Sequence, residues 1–180
     1  MAHAVVILGG MTGTPPLGDL RALAHPLRLR ILSLLTGAAM SAAEVARELG
    51  ETQANVSYHL RRLHAAGLLD IAEEVRIRGG RAKRYRHDPA SGSRVTSVDA
   101  ADDQLLVTAL ADELRRRAEQ RSFDGPSTRT DAEVWVDPAV WAKVVEQARE
   151  LSRVLHAAAE PPRTPGTVRV SATLALFGMR

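Results

Sequence analysis

Two short amphipathic segments follow one another in the first third of the chain, and each of them ends at a glycine. The Ser41–Glu44 run has the form of a capping box, in which a serine hydroxyl and a glutamate carboxylate satisfy the first backbone N–H groups of a helix. This helix ends at Gly50, and a second helix, which begins near Thr52, ends at Gly67. The pattern therefore predicts two short helices joined by a tight glycine turn.

A basic β-hairpin is predicted directly after these helices. Residues 68–78 alternate between apolar and mostly polar side chains, Gly79-Gly80 signals a tight turn, and residues 81–87 form the return strand. Six cations and no acid lie within residues 76–86. Such a run can be a solvated face, so its interpretation depends on the helices that precede it.

An earlier helix completes the order of elements. It begins at Pro26, carries apolar side chains at helical spacing and ends at Gly37. Helix, helix, glycine turn, helix and basic hairpin is the order of a winged helix-turn-helix. We therefore predict a mostly α fold with a β-hairpin wing, in which residues 17–96 form a DNA-binding domain.

The second helix of the pair is predicted to contact duplex DNA. Val56, Leu60 and Leu63 form its buried face, so the polar side chains point outward. Gln and Asn pair with adenine and Arg with guanine, while cations of the hairpin contact phosphates or enter the minor groove. The predicted DNA-binding residues are Thr52, Gln53, Asn55, Ser57, Tyr58, His59 and Arg62 on the helix and Arg78, Arg81, Lys83 and Arg84 on the wing.

Residues 20–87 resemble the ArsR family of bacterial winged-helix regulators. The resemblance is carried by residues 23–32 (LAHPLRLRIL), 45–50 (VARELG), 56–63 (VSYHLRRL) and 64–69 (HAAGLL), with His25 where Asp is usual. It implies a homodimer that binds a pseudo-palindromic operator. In that family the dimer forms through the first helix and the helix after the wing.

The helix after the wing is predicted over residues 97–121. Its acidic start and its arginine-rich end match the helix dipole, and its apolar stripe needs a partner. The resemblance implies that this is the dimerisation helix. The predicted interface residues are Leu105, Ala109, Leu110 and Leu114.

Residues 131–180 lie outside the part of the chain that resembles the ArsR family. Their pattern predicts a small strand–helix–strand extension. Residues 133–136 look like a strand, a helix begins at Pro138, and residues 168–176 alternate as in a half-buried strand. An apolar seam along the helix needs a surface to pack on. Two interpretations stay open: the extension enlarges the dimer interface, or it encloses a small-molecule effector. The side chains that would line such a pocket are Trp135, Trp141, Val145 and Phe177.

Composition and missing motifs exclude several other classes. The chain has no Cys, and its six His are scattered without metal-binding spacing, so we predict no metal and no cofactor. It carries no catalytic motif, so we predict that it is not an enzyme. No apolar run approaches the ~18 residues of a membrane span, which predicts a cytoplasmic protein without a membrane partner. Residues 1–16 show no hydrophobic periodicity, so we predict that they form a flexible arm.

Two functions from different classes fit this pattern. The first is a dimeric, sequence-specific regulator of transcription that binds double-stranded DNA, namely a repressor released by an unknown signal. The alternative is a winged helix that docks on other proteins without specific DNA binding. The charge of the hairpin favours the first function, because a wing that docks on protein needs no excess of one sign.

Overall fold

The computed structural model describes residues 20–77, 80–89 and 100–179. The predicted arm at residues 1–16 and the wing residue Arg78 lie outside these ranges. Within them, no helix is long and apolar enough to cross a membrane.

Three helices and a small sheet form the N-terminal part of the molecule. After a 3-10 turn at Leu20–Ala22 come α1 (Pro26–Gly37), β1 (Met40–Ser41), α2 (Ala42–Leu49), α3 (Gln53–Ala65), β2 (Asp70–Ile77) and β3 (Gly80–Arg86). The strands form one antiparallel sheet in the order β1-β3-β2. This arrangement confirms the predicted winged helix-turn-helix, in which β2 and β3 are the wing.

The local signals at the helix ends act as predicted. The Ser41 N–H donates to the Glu44 carboxylate at 2.7 Å, and the Glu44 N–H donates to the Ser41 hydroxyl at 3.4 Å. Gly50 follows α2 with a φ of 69°, in the left-handed region where a Cβ would be strained. This conformation lets the chain turn tightly into α3.

One hydrophobic core lies between these helices and the sheet. Its most deeply buried members are Leu23, Ile31, Leu35, Val45, Val56, Leu60, Leu63, Leu68 and Leu69. The next helix, α4 (Ala100–Ala118), adds Leu106 to this core. Because the core binds one face of α3, the opposite face of that helix points to solvent.

The C-terminal part contains the predicted helix without the predicted strands. Helix α5 spans Pro138–Ala157, and its cap Asp137 accepts from the Ala139 N–H at 2.8 Å. Residues 133–136 and 168–176 form no strand, so this part of the strand–helix–strand prediction is wrong. A strand needs a hydrogen-bonded neighbour, and an alternating sequence by itself does not supply one.

The predicted apolar seam of α5 is only partly covered by the rest of the described chain. Trp141 and Leu155 are half-buried and Ala148 is buried, whereas Val144 and Leu151 are exposed. Among the residues of α5, all of which the structure describes, Ala148 alone is fully buried. The helix therefore keeps much of its apolar surface in contact with solvent.

Two contacts hold the segment after α5 against the winged helix. Arg163 forms an ion pair with Glu48 of α2 at 2.7 Å. The backbone of Glu160 lies so close to Gly37, at the end of α1, that a Cβ at this glycine would collide with it. The C-terminal segment is thus attached to α1 and α2.

Candidate nucleic-acid interface

The outward face of α3 presents polar side chains along its length. Its exposed residues include Gln53, Asn55, Tyr58, Arg61 and Arg62; Thr52, just before the helix, is exposed too, and Ser57 is half-buried. The fully buried residues on the opposite side of the helix fix the direction of this face. Most of the helix residues predicted from the sequence therefore lie on one accessible surface.

Two of these residues also stabilise the start of the helix. Thr52 is the N-cap, and its hydroxyl accepts from the Asn55 N–H at 3.2 Å. The Asn55 amide donates to the Glu51 carboxylate, also at 3.2 Å. Gln53 begins the helix in an exposed position, and the N-terminal residues of such a helix are those that contact base edges.

Tyr58 and Arg62 form a pair one turn apart on the same surface. The Arg62 guanidinium donates to the Tyr58 hydroxyl at 3.1 Å, and its central carbon lies 5.8 Å from the centre of the ring. Both contacts limit the freedom of a long cationic side chain before any ligand arrives. Arg62 therefore has a defined orientation from which to donate to a base or a phosphate.

His59 is not on the outward face, and its prediction as a DNA contact is wrong. Only 7% of it is exposed, and its ring lies 4.6 Å from the ring of His25. Burial lowers the pKa of both rings and favours their neutral forms. The spacing could have shown this, because His59 is three residues after Val56 and falls on the buried stripe.

The paired strands give the wing a more balanced charge than its sequence suggested. Arg81 forms an ion pair with Glu74 at 3.3 Å, and Lys83 lies opposite Glu74 in the strand register. Glu74 precedes the acid-free run at residues 76–86, and only the antiparallel pairing brings it beside Arg81 and Lys83. Arg81 and Lys83 are nevertheless exposed and accessible to a phosphate.

Arg84, which the sequence predicts as a DNA contact of the wing, has partners within the chain itself. Its side chain is half-buried and donates to the Ala39 carbonyl at 2.6 Å and to Glu73 at 3.0 Å. It also approaches Glu44 of α2 at 3.4 Å. These three partners engage the guanidinium, so Arg84 is not available in the way that Lys83 is.

The structure divides the four predicted dimer residues into two groups. Ala109 is buried and Leu110 packs against the core, so both stabilise the single chain. Leu105 and Leu114 are 53% and 51% exposed. Of the four, these two remain available for contact with another molecule.

Two arginines at the end of α4 form ion pairs with a buried carboxylate. Glu113 is almost fully buried and pairs with Arg116 at 2.8 Å and with Arg117 at 3.3 Å. A buried charge needs such partners, because desolvation is costly. The helix dipole alone, which explained these arginines from the sequence, therefore does not account for their arrangement.

The side chains of the predicted effector pocket do not enclose a cavity. Trp135 is fully exposed and more than half of Phe177 is exposed, whereas Trp141 and Val145 are half-buried on α5. The pocket prediction is therefore wrong for the single chain. Among the residues that the structure describes, no group of three His, Asp or Glu side chains forms a metal site.

Residues 23–72 match the model of a family described as a helix-turn-helix domain. The match covers α1, α2, α3 and the start of the wing, which are the elements that form the outward surface. The comparison with curated proteins found no match. Fold and family match together define a winged helix-turn-helix protein, and such a domain indicates a DNA-binding regulator of transcription.

Proposed function

We propose that the chain is a homodimeric, sequence-specific repressor that binds a pseudo-palindromic operator in double-stranded DNA and releases it on a signal. The resemblance to the ArsR family supports the dimer and the form of the operator. The observation that carries the proposal is the outward face of α3, where Gln53, Tyr58 and Arg62 are accessible, together with the exposed cations of the wing.

The two groups of side chains would have separate roles on DNA. Gln53 and Arg62 have the donors and acceptors that read base edges in the major groove. Arg81 and Lys83 would contact phosphates, which adds affinity and positions the protein without sequence preference. Arg84 is left out of this set because its guanidinium already binds the Ala39 carbonyl and Glu73.

The dimer would place two such surfaces on the same side of the DNA. Half-sites contacted by a two-fold dimer lie about 34–36 Å apart, one turn of the double helix. The exposed Leu105 and Leu114 support a contact through α4. A pseudo-palindromic operator is the DNA counterpart of that symmetry.

The proposal is tested by selecting duplexes from a random-sequence pool and measuring binding by fluorescence anisotropy over a range of salt concentrations. Lys83→Ala should weaken binding to selected and unrelated duplexes alike and lower the salt slope by about 1. Gln53→Ala should instead cost about 1–3 kcal/mol of discrimination between the selected duplex and a variant of it.

The segment between α4 and α5 offers controls for both substitutions. Arg129→Ala removes a cation and Gln120→Ala removes an amide, both at exposed positions outside α3, the wing and the proposed dimer contacts, and both variants should bind DNA like the wild type. If the pool yields no preferred sequence and Lys83→Ala behaves like Arg129→Ala, the proposal fails. That result would favour the alternative of a winged helix that docks on proteins.

A further inference from the structure

The C-terminal segment exposes far more apolar surface than the rest of the described chain. Exposed large apolar side chains lie before α5 (Val134, Trp135, Val136), on α5 (Val140, Val144, Leu151, Val154) and after it (Val168, Val170, Leu174, Phe177, Met179). The exposed apolar side chains of α5 follow one helical stripe. The exposed apolar side chains that come after α5 include three members of the alternating run at residues 168–176. The more buried side chains of α5, including Trp141 and Ala148, lie beside this stripe, and the stripe itself is not covered by the rest of the described chain.

We propose that a second copy of this chain covers this apolar face and that residues 168–176 become a β-strand in the resulting dimer. The inference rests on the homodimer of the proposed function and deepens it by assigning a second contact region. The region consists of residues 134–179, which are outside the matched helix-turn-helix domain.

The amount of apolar surface suits an interface between proteins. The twelve exposed side chains together present on the order of 1,000 Å². A stable interface of standard size buries about 800 Å² on each partner. The segment therefore exposes about as much apolar surface as one side of a stable dimer needs.

The charge of the segment favours a second copy over a strongly charged partner. Residues 131–179 carry six acids and five bases, so the segment is close to neutral. Several of these charges pair with one another on α5, where Arg153 contacts Glu146 at 2.8 Å. A nearly neutral surface does not repel its own copy, and an apolar stripe is complementary to itself across a two-fold axis.

The backbone of residues 168–176 supports the same conclusion. The alternating run Val168, Val170, Ala172, Leu174 and Leu176 is typical of a strand with one apolar face, yet the single chain forms no strand there. A strand edge from a second copy would supply the missing hydrogen bonds. The apolar side chains of the run would then be covered by the α5 stripe.

The test compares full-length wild type with Val170→Asp and with the matched control Ser171→Asp. The control places the same charge on the neighbouring residue, whose side chain points to the other face of the run. Val170 is 63% exposed, so neither variant disturbs the core, and equal thermal unfolding of the monomers checks this. The measurements are mass by light scattering over a concentration series and amide hydrogen exchange at residues 168–176.

The expected result is a dimer for the wild type and for Ser171→Asp, with protection at residues 168–176 that rises with concentration. Val170→Asp should raise the dimer dissociation constant at least tenfold and lose that protection. Unchanged dissociation in Val170→Asp, or a run without protection in the dimer, would overturn the inference. Protection that is independent of concentration would also overturn it, because the strand would then form within one chain.

A third variant separates this inference from the proposed dimer through α4. If Leu105→Asp dissociates the dimer while Val170→Asp does not, the dimer of the proposed function stands and the C-terminal contact fails. If the wild type is a monomer at ~100 µM, a concentration far above the dissociation constants typical of stable dimers, both fail. The exposed apolar side chains of residues 134–179 would then bind a different protein or a small molecule.

Discussion

At the scale of single residues, His87 shows how burial determines the state of a titratable group. Only 3% of it is exposed; its Nδ1 lies 3.0 Å from the Thr36 hydroxyl, and its backbone N–H donates to the Leu35 carbonyl at 3.1 Å. Its Nε2 has no hydrogen-bond partner among the described residues. Burial is the main reason that the pKa of His87 falls to about 4, and His156 on α5 lowers it further.

This depressed pKa predicts a loss of stability in mild acid. The unfolded chain, with a histidine pKa of about 6.5, binds the proton more readily than the folded chain, so the free energy of unfolding falls as the pH falls. His87 should contribute about 2 kcal/mol of that loss between pH 7.5 and pH 5. Urea unfolding of the wild type and of His87→Gln at both pH values measures it.

The comparison of the two pH values isolates the titration from any packing defect. His87→Gln should show a smaller difference between pH 7.5 and pH 5, whatever its stability at neutral pH. His25, His59 and His156 also have a lowered pKa, so part of the wild-type loss remains in the variant. An equal loss in both proteins would show that His87 takes up its proton equally in the folded and unfolded chains.

At the scale of elements, Arg84 connects the wing to the helix pair. It lies on β3 and reaches the Ala39 carbonyl just before β1, Glu73 on β2 and Glu44 on α2. The two ion pairs are partly exposed and screened by solvent, so the hydrogen bond to the carbonyl carries much of the effect. The orientation of the wing relative to α2 depends on this one side chain more than on the other cations of β3.

We expect Arg84→Ala to lower the free energy of unfolding by about 1–2 kcal/mol, because Ala39 and Glu44 lose a donor in a partly buried position. Lys83→Ala, on the same strand but exposed, should stay within about 0.5 kcal/mol of the wild type. Denaturant unfolding at pH 7 compares the two variants. Equal stability of both would refute the structural role of Arg84.

At the scale of the whole molecule, the close approach of Glu160 to Gly37 joins the C-terminal segment to the winged helix. Only a residue without a Cβ fits at the end of α1 here, because a Cβ would meet the Glu160 backbone carbonyl. Backbone atoms cannot rotate away as a flexible side chain can. The contact therefore constrains where the chain leaves α5, together with the ion pair between Arg163 and Glu48.

Gly37→Ala should displace the C-terminal segment without unfolding the core. We expect faster amide hydrogen exchange at residues 150–160 in the variant, while exchange in α3 stays unchanged. Gly178→Ala is the matched control, because a Cβ there has no atom within 4 Å. Identical exchange in the two variants would mean that the contact between Glu160 and Gly37 does not hold the segment.

Local patterns in the sequence were enough to predict the helices, their caps, the glycine turn and the wing. A capping box or a helical stripe depends on residues within one or two turns, so neighbouring residues carry the whole signal. The same is true of Gln53, Tyr58 and Arg62, whose exposure follows from the period of α3. His59 was predictable too, since it is three residues from Val56 on the same stripe.

Only the tertiary structure decided which wing cations are accessible and which C-terminal segments form a helix or a strand. The partners of Arg84 lie 11 to 45 residues away in the chain, and the position of Glu74 beside Arg81 depends on strand register. Residues 133–136 and 168–176 have the composition of strands, but no strand within the described ranges pairs with them. Hydrogen bonds between strands and desolvation of charges depend on distant atoms, and no local pattern of residues contains that information.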